Sequence, residues 1–402
     1  MQQGKLKIPK MNIEPFASEH DFRTRLFLQY SEIMEKTDAG NAVTEMLSND
    51  PRVKDLEGKM ISRGSGAQAF EVKTLAMWFL WCANEYGLES AEEHLNLFLD
   101  ADLVSVINAL WIIGVKVEQT ICLDGGYEIL PIENLPDSRD KEQFLQKRFD
   151  DDMQHHLVPS SAIIYPCKVK KAQKNDGMAL NVEDVEFRQS NRRLYEIALL
   201  LNALDGVSCL PYHSTSYAFP TTPFGPFNSS GGGSPIYDVL GHNVAQLATN
   251  DRTIIDVLIS NYDRLPNSEK KRFQVILNRL SQAKRRIQIE DKILDLGITI
   301  EMLLLEDNKN NDQLSLSFRL RGSWLLGETS EDRMKIYKQL NEIYDYRSQV
   351  AHSGILCKGD IHKISDVMKS FPEYQSLAEK IFRKILNSGK PDWKKLVLNA
   401  NS

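Results

Sequence analysis

SEDRMKIYKQLNEIYDYRSQVAHSG, residues 330–354, decides how the C-terminal half of this chain is read. Ile336, Leu340 and Ile343 recur at three- and four-residue intervals, the period of a helix with one buried stripe. Gly354 is a common helix stop. Arg347 continues the stripe, where a guanidinium is costly unless it meets an anionic or polar partner. His352 stands five residues further, which rotates it by roughly 140° in an ideal helix of 3.6 residues per turn. The pair converges only if the helix ends between them or if a second copy of the chain supplies the other half. An interhelix Arg–carboxylate pair, with a histidine placed at the C-terminus by the helix macrodipole, explains the same residues without any chemistry.

Outward from that stretch the pattern stays helical. RTIIDVLISNYDRL (252–265), SEKKRFQVILNRLSQAKRR (268–286), IQIEDKILDLGITIEMLLLED (287–307), QLSLSFRLRGSWLLG (313–327) and DIHKISDVMKSFPEYQSLAEKIFRKIL (360–386) each carry an apolar stripe. Short connections between them predict an up-and-down bundle of four or five helices. PTTPFGPFNSSGGGSP (220–235), with four prolines and four glycines, reads as a connector and places the domain boundary near residue 240. Residues 241–402 are therefore expected to form the bundle and 1–240 an α+β region.

In that region FEVKTLAMWFLWCANEY (70–86) and SAEEHLNLFLDADLVSVINALW (90–111) read as helices, the second opening on a Ser90/Glu93 capping box. VKVEQTICL (115–123) and YEILPI (127–132) alternate around Asp124-Gly125-Gly126, a hairpin signature. SSAIIYPCKVKK (160–171) reads as a strand and RRLYEIALLLNAL (192–204) as a helix. The fold class is mainly α.

Composition bounds the function. The chain of 402 residues is 42% apolar and 26% charged, ordinary for a globular protein, and long enough for two or three domains. It has no run of eighteen apolar residues, so no membrane span is expected. The start, MQQGKLKIPKMNIEPF, lacks the apolar core of a secretory signal. The five cysteines are scattered without CxxC spacing, which points to reduced thiols, a cytoplasmic setting and no zinc site. The net charge of −6 divides into −11 for residues 1–240 and +5 for 241–402, a balance that permits a polyanionic partner for the C-terminal half. Within that half KKR (270–272) and AKRR (283–286) are either solvated helix faces or tracks for an RNA backbone.

YDYRSQVAHSG (344–354) resembles the R-x4-H signature of HEPN domains, in the RS-x-x-x-H-G form of the Apea-like branch. The resemblance extends upstream through IEDKILDLGITIEMLLLED and SFRLRGSWLLG, in the same order, and covers about residues 265–390. It implies a metal-independent endoribonuclease of a defence or toxin-like system, without a cofactor. Arg347 and His352 would be catalytic, and two copies would meet as a homodimer. RNA would be the partner, with residues 1–240 as a sensor, a regulator or the contact for a trigger partner. A catalytically silent HEPN module serving as a scaffold is the alternative. His352 is suited to proton transfer near neutral pH, and Arg347 to paired donation onto phosphate oxygens. Tyr344, Ser348 and His352 fall at i, i+4 and i+8, so Ser348 and Tyr344 are supporting candidates, and Tyr346, a third, is either a stacking surface or core. Asp291, Glu301 and Arg319 fit an internal ion-pair network as well as a site. DDDMQHH (150–156), Gly64-Ser65-Gly66, Gly231–Gly233 and HSTSY (213–217) lack the spacing of a metal site, a phosphate loop or a serine hydrolase.

Overall fold

The computed structural model describes residues 30–62, 67–135, 141, 144–145, 158–174, 185–218, 230–233, 244–306 and 313–398. Its first helices are α1 (Asp38–Ser48), α2 (Pro51–Lys54), α3 (Val72–Tyr86) and α4 (Leu88–Asp100). Every residue from Leu75 to Ala83 in α3 is buried, the mark of a helix enclosed by its neighbours rather than lying at the surface. Around it Tyr30, Met34, Val43, Leu47, Phe98 and the near ends of two long strands close a core of their own. Lys171 is buried against this unit and donates to the carbonyls of Phe98 (2.9 Å) and Leu99 (2.7 Å), which the end of α4 leaves open.

The stretch expected as one helix over 90–111 divides in two. The chain leaves α4 at Ala101, whose backbone is extended (φ −82, ψ 139), and continues as β3 (Leu103–Ile113). Leu110 and Ile112 point to one core and Ala109 and Trp111 to another, so both faces of β3 are covered. A strand buried on both faces shows an unbroken apolar run, which periodicity alone does not separate from a buried helix. The start also differs: α4 opens at Gly87 (φ 92) without a side-chain cap, and Ser90 lies inside the helix.

With β4 (Val115–Val117), β5 (Ile121–Cys122), β6 (Glu128–Pro131), β7 (Ser161–Lys170), β9 (Leu210–Ala218) and β10 (Ser230–Gly233), β3 builds the centre of the molecule. The main sheet runs β10-β9-β3-β7-β6-β5, and every pairing in it is antiparallel. The expected hairpin is present: Ile121 opposes Ile129, and Gly125 and Gly126 take φ of 81 and 82 in its turn. Part of the expected connector, Ser230–Gly233, is instead the edge strand β10, and the rest of 220–235 lies outside the described residues. HSTSY belongs to β9, where Thr215 accepts a hydrogen bond from the Trp111 indole (2.7 Å). Strands β1 (Lys59–Ser62), β2 (Ala67–Ala69) and β8 (Ala172–Lys174) form a small separate sheet in the order β2-β1-β8.

Helix α5 (Val185–Leu201) lies on one face of the main sheet, and α6 (Arg252–Asp263), α7 (Asn267–Arg285), α8 (Ile289–Leu304), α9 (Leu314–Leu326), α10 (Ser330–Ser353) and α11 (Ile361–Ser388) follow, with a short α12 (Trp393–Val397). Each helix expected after residue 250 is present. A single core runs from Leu110, Ile112 and Ile163 of the sheet through Leu194 and Ile197 of α5 to Phe273, Leu296, Leu340 and Ile381 of the helical part. Strand β11 (Ala245–Leu247) adds a parallel pairing onto β4.

A buried ion pair reinforces this junction. Lys284 of α7 and Glu379 of α11 lie 2.6 Å apart, both out of solvent. The Lys284 ammonium also donates to the carbonyls of Asn202 and Val207, in the turn between α5 and β9. Arg383, one turn beyond Glu379, donates to Ala203 O and to Asp205 (2.8 Å) in the same turn. AKRR is thus not a uniformly solvated face, since its first cation is a buried tie between the α+β region and the helices. KKR is also partly engaged: Arg272 donates to Glu269 (2.8 Å) and to Met302 O (3.0 Å).

Candidate functional site

Helix α10 carries the candidate residues and is fixed at both ends. Thr329 and Asp332 form a reciprocal capping box, Thr329 Oγ1 accepting from Asp332 N and Asp332 Oδ2 from Thr329 N. Gly354 closes the other end in the left-handed conformation (φ 70), its N–H donating to Val350 O. The helix runs without interruption through Ser353. Arg347 and His352 therefore stay roughly 140° apart on one helix, and the route in which the helix ends between them is closed.

Leu340, Ile343 and Val350 are buried, and Arg347 lies beside this stripe, half-buried. Its aliphatic stem crosses Gly297 of α8, and its Nη2 donates to Glu301 Oε2 at 2.6 Å, one turn further along α8. Gly297 permits the crossing, because a Cβ there would stand 2.6 Å from Arg347 Cγ and 2.8 Å from Arg347 Cβ. Arg347 Nε is buried with no hydrogen-bond partner among the described residues, so one edge of the guanidinium is incompletely satisfied. Burial pushes the Glu301 carboxyl above the ordinary range, and the adjacent Arg347 only partly offsets this.

His352 differs in every respect. It is exposed in the last turn of α10, and its imidazole hydrogen-bonds to no described residue. The chain beyond it exposes Ile355 (53%) and Ile361 (80%), two large apolar side chains. Between them Cys357 (φ 50), Lys358 (φ 53) and Gly359 (φ 79) adopt successive left-handed conformations, a costly arrangement for the two that bear side chains.

The supporting candidates separate. Tyr344 packs edge-on against Phe318 with ring centroids 5.3 Å apart, so it belongs to the core margin. Tyr346 is half-buried against the same core, and burial raises its phenol above the ordinary value. Ser348 is half-buried next to Arg347 in the chain. The face defined by Tyr344, Ser348 and His352 thus passes from interior to solvent along two turns. Arg319 is engaged internally, with Asn341 and with Ser315 O (3.0 Å), and Asp291 is exposed in the first turn of α8, where a carboxylate suits the helix dipole. DDDMQHH and Gly64-Ser65-Gly66 lie outside the described residues. Among the described residues no three His, Cys, Asp or Glu side chains converge as metal ligands, and no helix is long and apolar enough to cross a membrane.

The chain matches no family model, and comparison with curated proteins and with solved structures gave no match.

Gly297 is a site residue that the sequence reading did not single out. Gly297→Ala gains up to about 1 kcal/mol of helix propensity but drives a methyl group into the Arg347 stem. A net loss of about 1–3 kcal/mol is expected from overpacking. Denaturant unfolding measures it; a variant as stable as the parent would show that α8 and α10 have room to separate.

Proposed function

We propose that this chain is an endoribonuclease of the HEPN type, in which Arg347 and His352 from two copies cleave RNA by attack of its own 2′-hydroxyl. The observation that carries the reading is the contrast within one helix end. A guanidinium is anchored by its stem and by Glu301, and an imidazole five residues on is exposed and uncommitted. Since the two diverge on one helix, a shared cleft needs a second copy, and the exposed Ile355 and Ile361 beside His352 offer apolar area for one.

In the proposed reaction His352 of one copy takes the 2′-hydroxyl proton as that oxygen bonds to phosphorus. The bond from phosphorus to the 5′-oxygen breaks, and the His352 of the second copy returns a proton to the departing oxygen. Arg347 holds the extra negative charge on the phosphoryl oxygens through paired donors. The products are a 2′,3′-cyclic phosphate and a 5′-hydroxyl. The Arg347–Glu301 pair favours a second reading, a silent module in which Arg347 only clamps α10 to α8 and the bundle serves as a scaffold.

Incubating the full chain with mixed cellular RNA in EDTA, followed by end-group analysis, tests the proposal. Cleavage is expected to persist and to leave those two ends. Loss of cleavage on chelation, with recovery in magnesium, would reject the mechanism.

A further inference from the structure

Helices α10 and α11 meet only sparsely, and between them lies a groove of about 810 Å³, open to solvent along the N-terminal half of α10. Leu326, Ile336 and Leu377 give it an apolar floor. Its walls carry Lys335 on α10 and Lys380 and Lys384 on α11, all exposed and without a hydrogen bond or salt bridge to any described residue. Arg383 adds a fourth cation at one end, although it is committed to the turn at Ala203 and Asp205. Two carboxylates line the groove as well, and both are engaged. Asp332 closes the α10 cap, where hydrogen bonds from Thr329, more than nearby Lys335, hold its carboxyl below the ordinary range. Glu373 accepts from Gln339 at 3.0 Å.

We propose that this groove binds the phosphodiester backbone of a single-stranded nucleic acid. Lys380 and Lys384 are one helical turn apart, a rise of about 6 Å, and Lys335 faces them from the other wall. Cations on both sides of an open apolar floor suit a ligand with a charge on every unit and sugars and bases between. The one arginine lining the groove, Arg383, is committed elsewhere, so the expected contact is backbone tracking without sequence readout. A compact anion would gain little here, because the lysines are exposed point charges around an open channel rather than donors converging in a closed pocket. Lys335 precedes Arg347 by about 18 Å along the helix axis, close enough for one strand to reach from the groove towards the α10 C-terminus. This rests on the ribonuclease reading only for what happens to the strand after it binds.

The test uses the full chain carrying His352→Ala, so that the probe survives, with and without Lys335→Gln, Lys380→Gln and Lys384→Gln together. The probe is a labelled single-stranded RNA of roughly twelve nucleotides. Fluorescence anisotropy across a salt series is expected to show at least a tenfold loss of affinity at low salt. The slope of log K against log salt should fall by about 2, as three lost phosphate contacts require. Unchanged affinity or slope overturns the proposal, as does poly-glutamate that displaces the RNA at equal charge concentration, since the groove would then be a site for acidic chains. The two proposals fail separately. Cleavage by the parent with normal binding by the triple variant removes the groove and leaves the nuclease. Groove-dependent binding without cleavage by the parent does the reverse.

Discussion

Lys284→Met should destabilise the whole chain by about 3–5 kcal/mol, the range for removing one partner of a buried ion pair. The loss falls on three acceptors at once: Glu379 at 2.6 Å and the carbonyls of Asn202 and Val207. Glu379 already has one buried oxygen without a partner. Burial pushes its carboxyl up, and Lys284, with a smaller contribution from the Gln375 hydrogen bond, opposes that shift. A carboxyl raised in the folded state contributes stability below its unfolded pKa and loses it as pH rises through the folded value. Without Lys284 the upward shift grows, so the deficit of the variant should widen between about pH 4.5 and neutrality and narrow on acidification. Adding Glu379→Leu removes the stranded charge and should recover part of the loss, but the two carbonyls remain unsatisfied and keep a deficit of about 1–3 kcal/mol. Urea titrations of the parent and the two variants at two pH values measure this. A single variant within 1 kcal/mol of the parent at neutral pH would show that the pair is replaceable by water.

The second large effect concerns chemistry. His352→Ala should reduce RNA cleavage by about 10²- to 10⁴-fold, the usual contribution of a positioned proton-transfer group. It should change stability by no more than about 0.5 kcal/mol, because the imidazole is exposed and bonded to no described residue. Arg347→Lys separates charge from geometry. The aliphatic stem over Gly297 and a cation near Glu301 remain, whereas the planar paired donors do not. Cleavage should therefore fall much further than melting temperature. Arg347→Ala is the less informative change, since it leaves Glu301 half-buried without its cation and mixes folding with activity. If Arg347 only clamps two helices, RNA processing will follow stability across the three variants. If His352→Ala cleaves as fast as the parent, the ribonuclease assignment at this site is wrong.

The helices after residue 250 could be read from the sequence because each of their signals is local. The apolar period, Pro266, Gly327 and Gly354 fall where the chain starts or stops helical turns. The core side of α10 was readable in the same way, and with it the need of Arg347 for an acidic partner, which Glu301 meets. Strand β3 was not, since covering both its faces erases the alternation that marks a strand. Lys284 is illegible for another reason. It sits one turn after Leu280 on the buried side of α7, a visible hint, but the groups that make burial tolerable come from residues 202, 207 and 379. No local pattern announces partners so far along the chain. Gly297 carries its meaning only once α10 is laid across it.

The Lys284 tie also has a consequence for biosynthesis. The chain emerges from the N-terminus, so the sheet and the turn at 202–209 are made long before Glu379 and Arg383, which secure that turn from the last long helix. Arg347 and His352 are both made earlier than Glu379. A message cut short between residues 353 and 379 therefore encodes the complete R-x4-H motif, yet leaves Lys284 without its Glu379 partner and the common core without the C-terminal part of α11. Translation has to pass residue 383 before the helix bearing that motif rests on a finished interior.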